Sequence, residues 1–437
     1  MHAWIMVIAL SWLSVAAAMG TDITIRKTSA GKASRNLYGV NLWRAFDPEV
    51  AESPAYQTNL AAMGVTVVRF HNAGMAKWID VPNRAWDTNA VGRVMTALAH
   101  RFPVKMVTIS GPPPWMDEDG DRRLDKSRVA DYAAWCADLV GHVNNVCRAG
   151  VQWWEVLNEA ELRGYDKRGD GEVLADIFRA CSKAMRARDP SIRVGGNAWS
   201  WGMPAQAVEF LEEAGKGIAF YSYHWYATGD PGARVGDIYG KAVSADIAKV
   251  RKSLASRRLA LPIWIDEWNM FYDWKSDAAR HLMVSGRSAV YDALFLKSAA
   301  ESGGADYLVA WNDADNTYGK MSTGYEFFSG AFVFMLYNRL FDGTILTTSS
   351  SDVAVVPFAV KGADGAVSVS LVNRSESPRE ASISSAVPLP RELTRYLIGA
   401  DGIATNMIAG GAAIELPAES VTVITTKSAR ASGVSRP

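Results

Sequence analysis

The chain has 437 residues, 46 basic and 46 acidic side chains, a formal net charge of zero and 49% hydrophobic residues. That length exceeds one ordinary domain but suits a closed α/β barrel, which runs to about 250 residues or more, together with a smaller unit. No stretch concentrates Lys or Arg, and the charge balance excludes nucleic acid and other polyanions as natural partners.

At the N-terminus, the apolar run Trp4 to Val15 followed by Ala16-Ala17-Ala18 reads as a signal peptide over residues 1–19, which implies a secreted or periplasmic protein. The run is short for a bilayer, and no later stretch approaches about 20 apolar residues, so no membrane span is expected. Within residues 20–36, Ile23 to Arg26 is strand-like and is expected to join a sandwich at the other end of the chain. Residues 37–342 alternate short apolar runs with longer amphipathic ones, as successive βα units do around a parallel sheet. Eight strands are predicted: Leu37 to Leu42, Val65 to Phe70, Val104 to Ile109, Gln152 to Leu157, Ile192 to Gly196, Ala219 to Tyr223, Ile263 to Asp266 and Tyr307 to Ala310. Helical patterns lie between or after them at Asp131 to Arg148, Glu172 to Arg188, Ala242 to Arg257, Val284 to Ser302 and Tyr325 to Leu340. This is the pattern of a (β/α)8 TIM barrel. From 343 to 427 short strand-like runs separated by Gly, Ser and Pro predict a small C-terminal antiparallel β-sandwich, followed by a polar tail, 428–437, expected to be disordered. Cys136, Cys147 and Cys181 cannot all pair, and the first two would lie about 16 Å apart along one helix, so free thiols are expected.

In a barrel of this kind the loops after the strands build the active face. Those ends carry Asn41 and Trp43, Arg69 and His71, Trp115, Asn158 and Glu159, Asn197 and Trp199, His224 and Tyr226, Glu267, and Trp311 with Asn312. Glu159 and Glu267 each end a strongly apolar run, after the fourth and seventh strands. An ionised carboxylate at such a place costs several kcal/mol to bury unless something pairs with it, so its presence points to chemistry rather than packing. Two carboxyls converging on one site are the equipment of glycoside hydrolysis, in which one donates a proton and the other attacks or directs water at the anomeric carbon. Ten of the sixteen tryptophans (43, 78, 86, 115, 199, 201, 225, 268, 274 and 311) also fall at or just after strand ends, where flat faces suit sugar rings.

Asn158-Glu159 ending a fourth strand that contains Trp-Glu-Val, with a second Glu ending the seventh, resembles the retaining glycoside hydrolases of clan A. Ile265-Asp-Glu267-Trp-Asn269 is similar to the nucleophile strand of family 51 α-L-arabinofuranosidases, and the length with its terminal sandwich resembles family 39 β-xylosidases; families 30 and 5 share parts of the pattern. Glu159 is followed by Ala160, where several clan families have Pro and family 51 has Met-Asp, so the resemblance holds at clan level and does not carry the substrate. It implies Glu159 as general acid/base and Glu267 as nucleophile. It also implies that Tyr226 bonds the nucleophile, that Asn158 bonds the sugar 2-hydroxyl, and that His224 and Trp311 line the subsite of the reacting sugar. Arg69 would face Glu267. Trp115, Asn41 and His71 complete the expected substrate-binding set.

Charge repulsion between two carboxyls about 5 Å apart leaves the proton on the less charge-stabilised one, here expected to be Glu159. Glu155 sits deeper in its strand and is expected to pair with a base inside the barrel, whereas strand alternation points Asp266 away from Glu267. Asp313, Asp315 and Asn316 lack the spacing of a calcium loop, and the six histidines show no metal-ligand spacing, so no metal and no cofactor are expected. The expected partner is a polysaccharide or oligosaccharide substrate, acted on by a monomer or small homo-oligomer. The competing reading is a non-catalytic carbohydrate-binding barrel that has kept its cleft; a metal-dependent barrel hydrolase lacks ligands.

Overall fold

The structure, a computed structural model, describes residues 19–72 and 75–428. The expected signal peptide up to residue 18 and the tail from residue 429 lie outside the described residues.

Eight strands form the first sheet: β2 (Gly39–Leu42), β3 (Val67–Phe70), β4 (Val104–Thr108), β5 (Trp153–Glu155), β6 (Arg193–Gly195), β7 (Tyr221–Thr228), β8 (Ile263–Phe271) and β9 (Tyr307–Ala310). Their spatial order is β6-β5-β4-β3-β2-β9-β8-β7, and every pairing is parallel. The ring closes between β6 and β7 through Ala219 N–H to Val194 O at 3.0 Å, a parallel bridge between Trp199 and Tyr223, and His224 N–H to Trp199 O at 2.7 Å. Strands covered on both faces read as unbroken apolar runs, and β8 is buried along all nine of its residues. At the start of β2 the packing requires glycine: a side-chain carbon on Gly39 would lie 2.8 Å from the carbonyl oxygens of Leu308 and Val67.

Each strand is followed by a helix against the outside of the ring: α1 (Pro54–Ala62), α2 (Thr88–Leu98), α3 (Val129–Val140), α4 (Asp170–Arg188), α5 (Ala205–Ala214), α6 (Ser244–Ser256), α7 (Gly286–Ser302) and α8 (Ser329–Leu340). Local chemistry sets several starts. The Ser53 hydroxyl accepts from Tyr56 N–H ahead of Pro54, Asp87 accepts from Ala90 N–H, and Ser285 accepts from Arg287 N–H.

The second sheet has nine strands. The N-terminal strand β1 (Met19–Ala33) runs antiparallel to β10 (Gly343–Ser350) and parallel to β13 (Arg379–Ser385). The rest are β11 (Val355–Lys361), β12 (Val367–Asn373), β14 (Glu392–Gly399), β15 (Gly402–Ala409), β16 (Ile414–Leu416) and β17 (Ser420–Thr425). This unit has its own core of Ile23, Ile25, Leu346, Val369, Leu371 and Ile424. It is fastened to the barrel through α7 and α8, with Tyr337 OH bonded to Ser370 Oγ at 3.0 Å, Ser329 Oγ to Gly399 O at 2.9 Å, and Arg287 paired with Glu419 at 2.8 Å. Cys136, Cys147 and Cys181 are free.

Candidate active site

The site is built upward from one arginine. Arg69, next to last in β3, is fully buried and uses every arm of its guanidinium. Nε donates to Glu155 Oε2 at 2.9 Å and Thr108 Oγ1 at 2.7 Å; Nη1 donates to Asn41 Oδ1 at 3.1 Å and Glu267 Oε1 at 2.9 Å; Nη2 donates to Asn158 Oδ1 at 2.7 Å and lies 3.1 Å from Asp266 Oδ2. Burial alone would lower the arginine's proton affinity, but Glu155, Asp266 and Glu267 outweigh it and hold the guanidinium charged. One cation thus organises three carboxyls, two amides and a hydroxyl contributed by β2, β4, β5 and the turn after it, and β8. A planar fork of donors is suited to that task where a lysine is not.

Asp266 corrects the reading from alternation. The pairing of β8 with β7 passes from Ile265 opposite Tyr223 directly to Glu267 opposite His224, so Asp266 is an extra residue. A bulge of this kind lets two consecutive side chains leave the same face. Asp266 and Glu267 therefore both reach Arg69. Burial and the adjacent Glu155 charge push Asp266 well above the carboxylate range, while Glu155 is held below it, against its own burial, by Arg69 and Thr108.

Above this floor stand the two glutamates. Glu267 Oε1 accepts from Arg69, and Oε2 accepts from Tyr226 OH at 3.1 Å. The ring nitrogens His71 Nε2 and His224 Nε2 each lie 3.5 Å from Oε1. Glu159 follows β5 with a backbone φ of 48°, and Ala198 opposite has 39°. Left-handed backbone at residues other than glycine costs about 1–3 kcal/mol each and concentrates at functional sites. Here it is held by Glu159 N–H, which donates to Asn197 O at 3.1 Å and Ala198 O at 3.0 Å. An oxygen of Glu159, an oxygen of Glu267 and a ring nitrogen of His224 all lie within 4.8 Å of one another. Spacing alone would admit a cation, but His224 Nδ1 is aimed at Glu159 Oε1 at 2.9 Å and the Glu267 oxygens are taken by Arg69 and Tyr226, so the trio is not read as a metal centre. Asp313 and Asp315 are also engaged, the first with Tyr56 OH at 2.7 Å and the N–H groups of Trp43 and Arg44, the second with the N–H groups of residues 317 to 319.

The surroundings of Glu159 run against the expectation that it keeps its proton. Burial does favour its neutral form, but the hydrogen bond and charge of His224 outweigh burial and hold the carboxyl below its usual range. In turn, burial of His224 is outweighed by Glu267, Asp266 and Glu159, which lift its pKa to about 9. His71 goes the other way: burial, reinforced by Arg69 and His224, holds it well below the usual imidazole range, as a neutral ring 3.1 Å from Ser110 Oγ.

Glu159 and Glu267 open into a cavity of about 560 Å³ whose wall includes Asn158, His71, Tyr226 and Trp311. Arg69, Asn41 and His224 lie buried beneath it rather than on its wall. Trp115 is not brought to the cavity: the Pro114–Met116 turn directs it onto Trp135 of α3, with ring centroids 5.3 Å apart. The aromatic rim is smaller than the tryptophan positions suggest. Only Trp43, Trp274 and Trp311 of the ten line the cavity, while Trp78, Trp199 and Trp268 are wholly buried in the hydrophobic core. Trp43, Trp274 and Asn312, named at strand ends, line the wall, and so do Arg163, Tyr272, Asp315, Thr317 and Tyr318, which were not expected there. Most come from loops, where no period marks them; Tyr272, directly after the nine-residue β8, could have been reached by extending that strand past Asp266.

With this geometry in hand, comparison with known proteins places the chain. The sequence model of "Glycosyl hydrolases family 39" matches residues 127–310, which span both glutamates. None of the curated proteins matches the chain in sequence. Among solved structures it is similar to a family 39 β-xylosidase from Caulobacter crescentus, at 18% identity and a TM-score of 0.68 over 93% of this chain and 99% of that one. It is similar too to a family 51 α-L-arabinofuranosidase from Thermotoga petrophila, at 16% identity and 0.69 over 93% and 99%, and to a family 30 endoxylanase from Clostridium papyrosolvens, at 13% and 0.62 over 92% and 99%. Those likenesses are of fold, a parallel barrel with an attached β-sandwich. The family 39 sequence pattern over the segment that carries both strand-end glutamates adds the chemistry, and the chain is an O-glycosyl hydrolase resembling the clan A enzymes.

Proposed function

We propose that the protein is a retaining glycoside hydrolase that cleaves O-glycosidic bonds of a polysaccharide or oligosaccharide by double displacement, with Glu267 as nucleophile and Glu159 as acid/base. The observation that carries this reading is the approach of the two carboxylates, oxygen to oxygen within 4.8 Å. Retaining enzymes hold their carboxyls about 5–5.5 Å apart for direct attack, whereas inverting enzymes leave about 6.5–9.5 Å for a water. The roles divide by surroundings. Both Glu267 oxygens accept from donors, Arg69 and Tyr226, as suits an attacking anion. Glu159 is the more open of the two, its side chain 26% exposed against 7%, and can reach a leaving group in the cavity. The test is a panel of aryl glycosides (xyloside, arabinofuranoside, glucoside, galactoside, mannoside) with the first-formed anomer read by NMR. Retained configuration is expected, and an inverted first product would overturn the mechanism. Absence of turnover on every substrate, with binding intact, would instead favour a carbohydrate-binding barrel.

Two side chains on the wall give separable expectations. Tyr226→Phe removes one donor to Glu267 and should slow turnover about 10- to 1000-fold without unfolding the protein, as for a hydrogen bond that matters most in the transition state. Wild-type rates would remove Tyr226 from the site. Trp311 stands edge-on to Trp43, ring centroids 5.0 Å apart, on the cavity wall. Trp311→Ala should raise KM as well as lower kcat, because a stacking surface acts on ground and transition states alike; a loss of thermal stability alone would make it a packing residue. We also propose export, on the apolar run Trp4 to Val15 and the alanines after it. N-terminal sequencing of the protein recovered from periplasm or medium should find residues 1–19 removed.

A further inference from the structure

We infer that the proton delivered to the leaving group is stored on His224 and not on Glu159, and that consumption of the Glu267 charge is what releases it. This inference rests on the roles proposed above. Its ground is the position of one ring. His224 is fully buried, with Nδ1 at 2.9 Å from Glu159 Oε1 and Nε2 at 3.5 Å from Glu267 Oε1, so the imidazole touches both glutamates through opposite nitrogens. Nε2 is buried with no hydrogen-bond partner at bonding distance, and the other acid facing it is Asp266, 3.8 Å away.

The charged and titratable groups around the ring are Glu159 and Glu161 from the segment after β5, Asp266 and Glu267 from β8, and Arg69 and His71 from the end of β3. His71 is held neutral, burial and Glu155 push Asp266 toward its protonated form, and the Arg69 charge is shared among Glu155, Asp266 and Glu267. Glu161 is tied to Ser200, whose N–H and hydroxyl lie 2.6 and 2.8 Å from its Oε1. What the ring chiefly faces in the free enzyme is therefore a pair of glutamates, and an imidazolium between them offsets part of their charge.

The proton path follows and balances. As a Glu267 oxygen bonds to the anomeric carbon, its negative charge is consumed in the acyl-glycosyl bond, and the electrons of the breaking C–O bond pass to the leaving oxygen. The imidazolium has then lost the anion on its Nε2 side. Its Nδ1 proton passes to Glu159 Oε1, and Glu159 passes a proton to the leaving oxygen, which departs as an alcohol. His224 is left neutral and Glu159 ionised, as a base must be to take a proton from the incoming water. When water displaces Glu267, the carboxylate reappears, and the proton taken by Glu159 returns to Nδ1. The net charge of the trio is the same at the start and in the glycosyl-enzyme, so no buried charge is created at either step. A glutamate that is ionised in the resting site can still act as an acid because its donor is hydrogen-bonded to it.

Because His224 acts through Glu159, it is a positioning and proton-holding residue, and its test must read protonation. With six histidines in the chain, the 15N shifts of the His224 ring can be followed by NMR. At pH 7 both nitrogens of the free enzyme should be protonated, with a midpoint near 9. In Glu267→Gln, which removes the charge facing Nε2, that midpoint should fall by about one unit or more. A neutral His224 at pH 7, or a midpoint indifferent to Glu267→Gln, would overturn the inference. His224→Gln keeps a donor toward Glu159 but stores no proton. It should lose about 10²- to 10⁴-fold in kcat/KM on an alkyl or unactivated aryl glycoside, yet far less on the dinitrophenyl glycoside, whose leaving group needs no proton, and the alkaline limb of its pH profile should move toward acid. Equal losses on both leaving groups with an unmoved limb would make His224 merely structural. If azide rescue exchanges the roles of the glutamates while His224 titrates as stated, the functional reading fails and the protonation stands; correct roles with a neutral His224 refute the inference alone.

Discussion

Azide added to Glu267→Ala should restore turnover of an activated aryl glycoside and yield a glycosyl azide of inverted configuration, whereas azide added to Glu159→Ala should yield the azide of retained configuration. Without rescue, Glu267→Ala should lose on the order of 10⁴-fold or more in kcat, because no covalent route remains. Azide then attacks the substrate itself in the space vacated between Arg69 and Tyr226. In Glu159→Ala the nucleophile and its two donors are intact, so a good leaving group departs without help, and azide intercepts the glycosyl-enzyme from the face that water would use. The opposite anomers follow from one inversion against two. The same anomer from both variants would overturn the assignment of roles even if both residues proved essential.

Arg69→Met should be the most destabilising single change at the site, by about 3–5 kcal/mol, since it leaves a buried carboxylate cluster without its cation. The guanidinium contacts Glu155, Asp266 and Glu267 together, at 2.9, 3.1 and 2.9 Å. Chemical denaturation at pH 7 measures the loss. Its pH dependence identifies the cause: burial alone raises the Glu155 pKa and the arginine is what opposes it, so without the arginine the folded form takes up a proton there and the deficit should shrink as pH falls through the carboxylate range. A loss below about 1 kcal/mol, or one that does not vary with pH, would mean that the cluster is neutralised some other way.

The parts of this architecture that were legible in the sequence are those that local chemistry marks. Most barrel strands are short apolar runs because both faces are covered, and the eight runs stand out for that reason. Their active ends do not. Strands β7 and β8 extend to Thr228 and Phe271, well past Tyr223 and Asp266, because His224, Tyr226 and Glu267 interrupt the apolar run while the backbone pairing continues past them. Helices α1, α2 and α5 went unassigned between strands, being short, at 9, 11 and 10 residues. Strands β10 and β15 carry little signal of their own, since Thr344, Thr347 to Ser350 and Thr405 to Asn406 form strands only because neighbours supply pairing. At the site, strand ends named Glu159, Glu267, Arg69, Tyr226 and His224, since a polar residue after an apolar run is visible in one dimension. The side of the strand taken by Asp266 was not, because a bulge resets the alternation on which such a reading depends. Nor was the proton on His224, which follows from distances between β5, β7 and β8 that no spacing in the chain records.

Strand β1 carries a consequence for biosynthesis. Its backbone partners are β10 and β13, and Asp22 N–H is bonded to the hydroxyl of Ser351, 329 residues further along the chain. At about 5–20 residues per second, a ribosome needs roughly 15–65 s to make that intervening stretch. Throughout it, a 15-residue strand with Ile23 and Ile25 in its sequence has both edges unpaired while the barrel behind it is emerging. The last part of the chain to be made is thus what shelters the first. A gene truncated at residue 342 would encode every barrel strand and still leave that edge permanently open, so the catalytic barrel should be produced soluble only together with the strands that follow it.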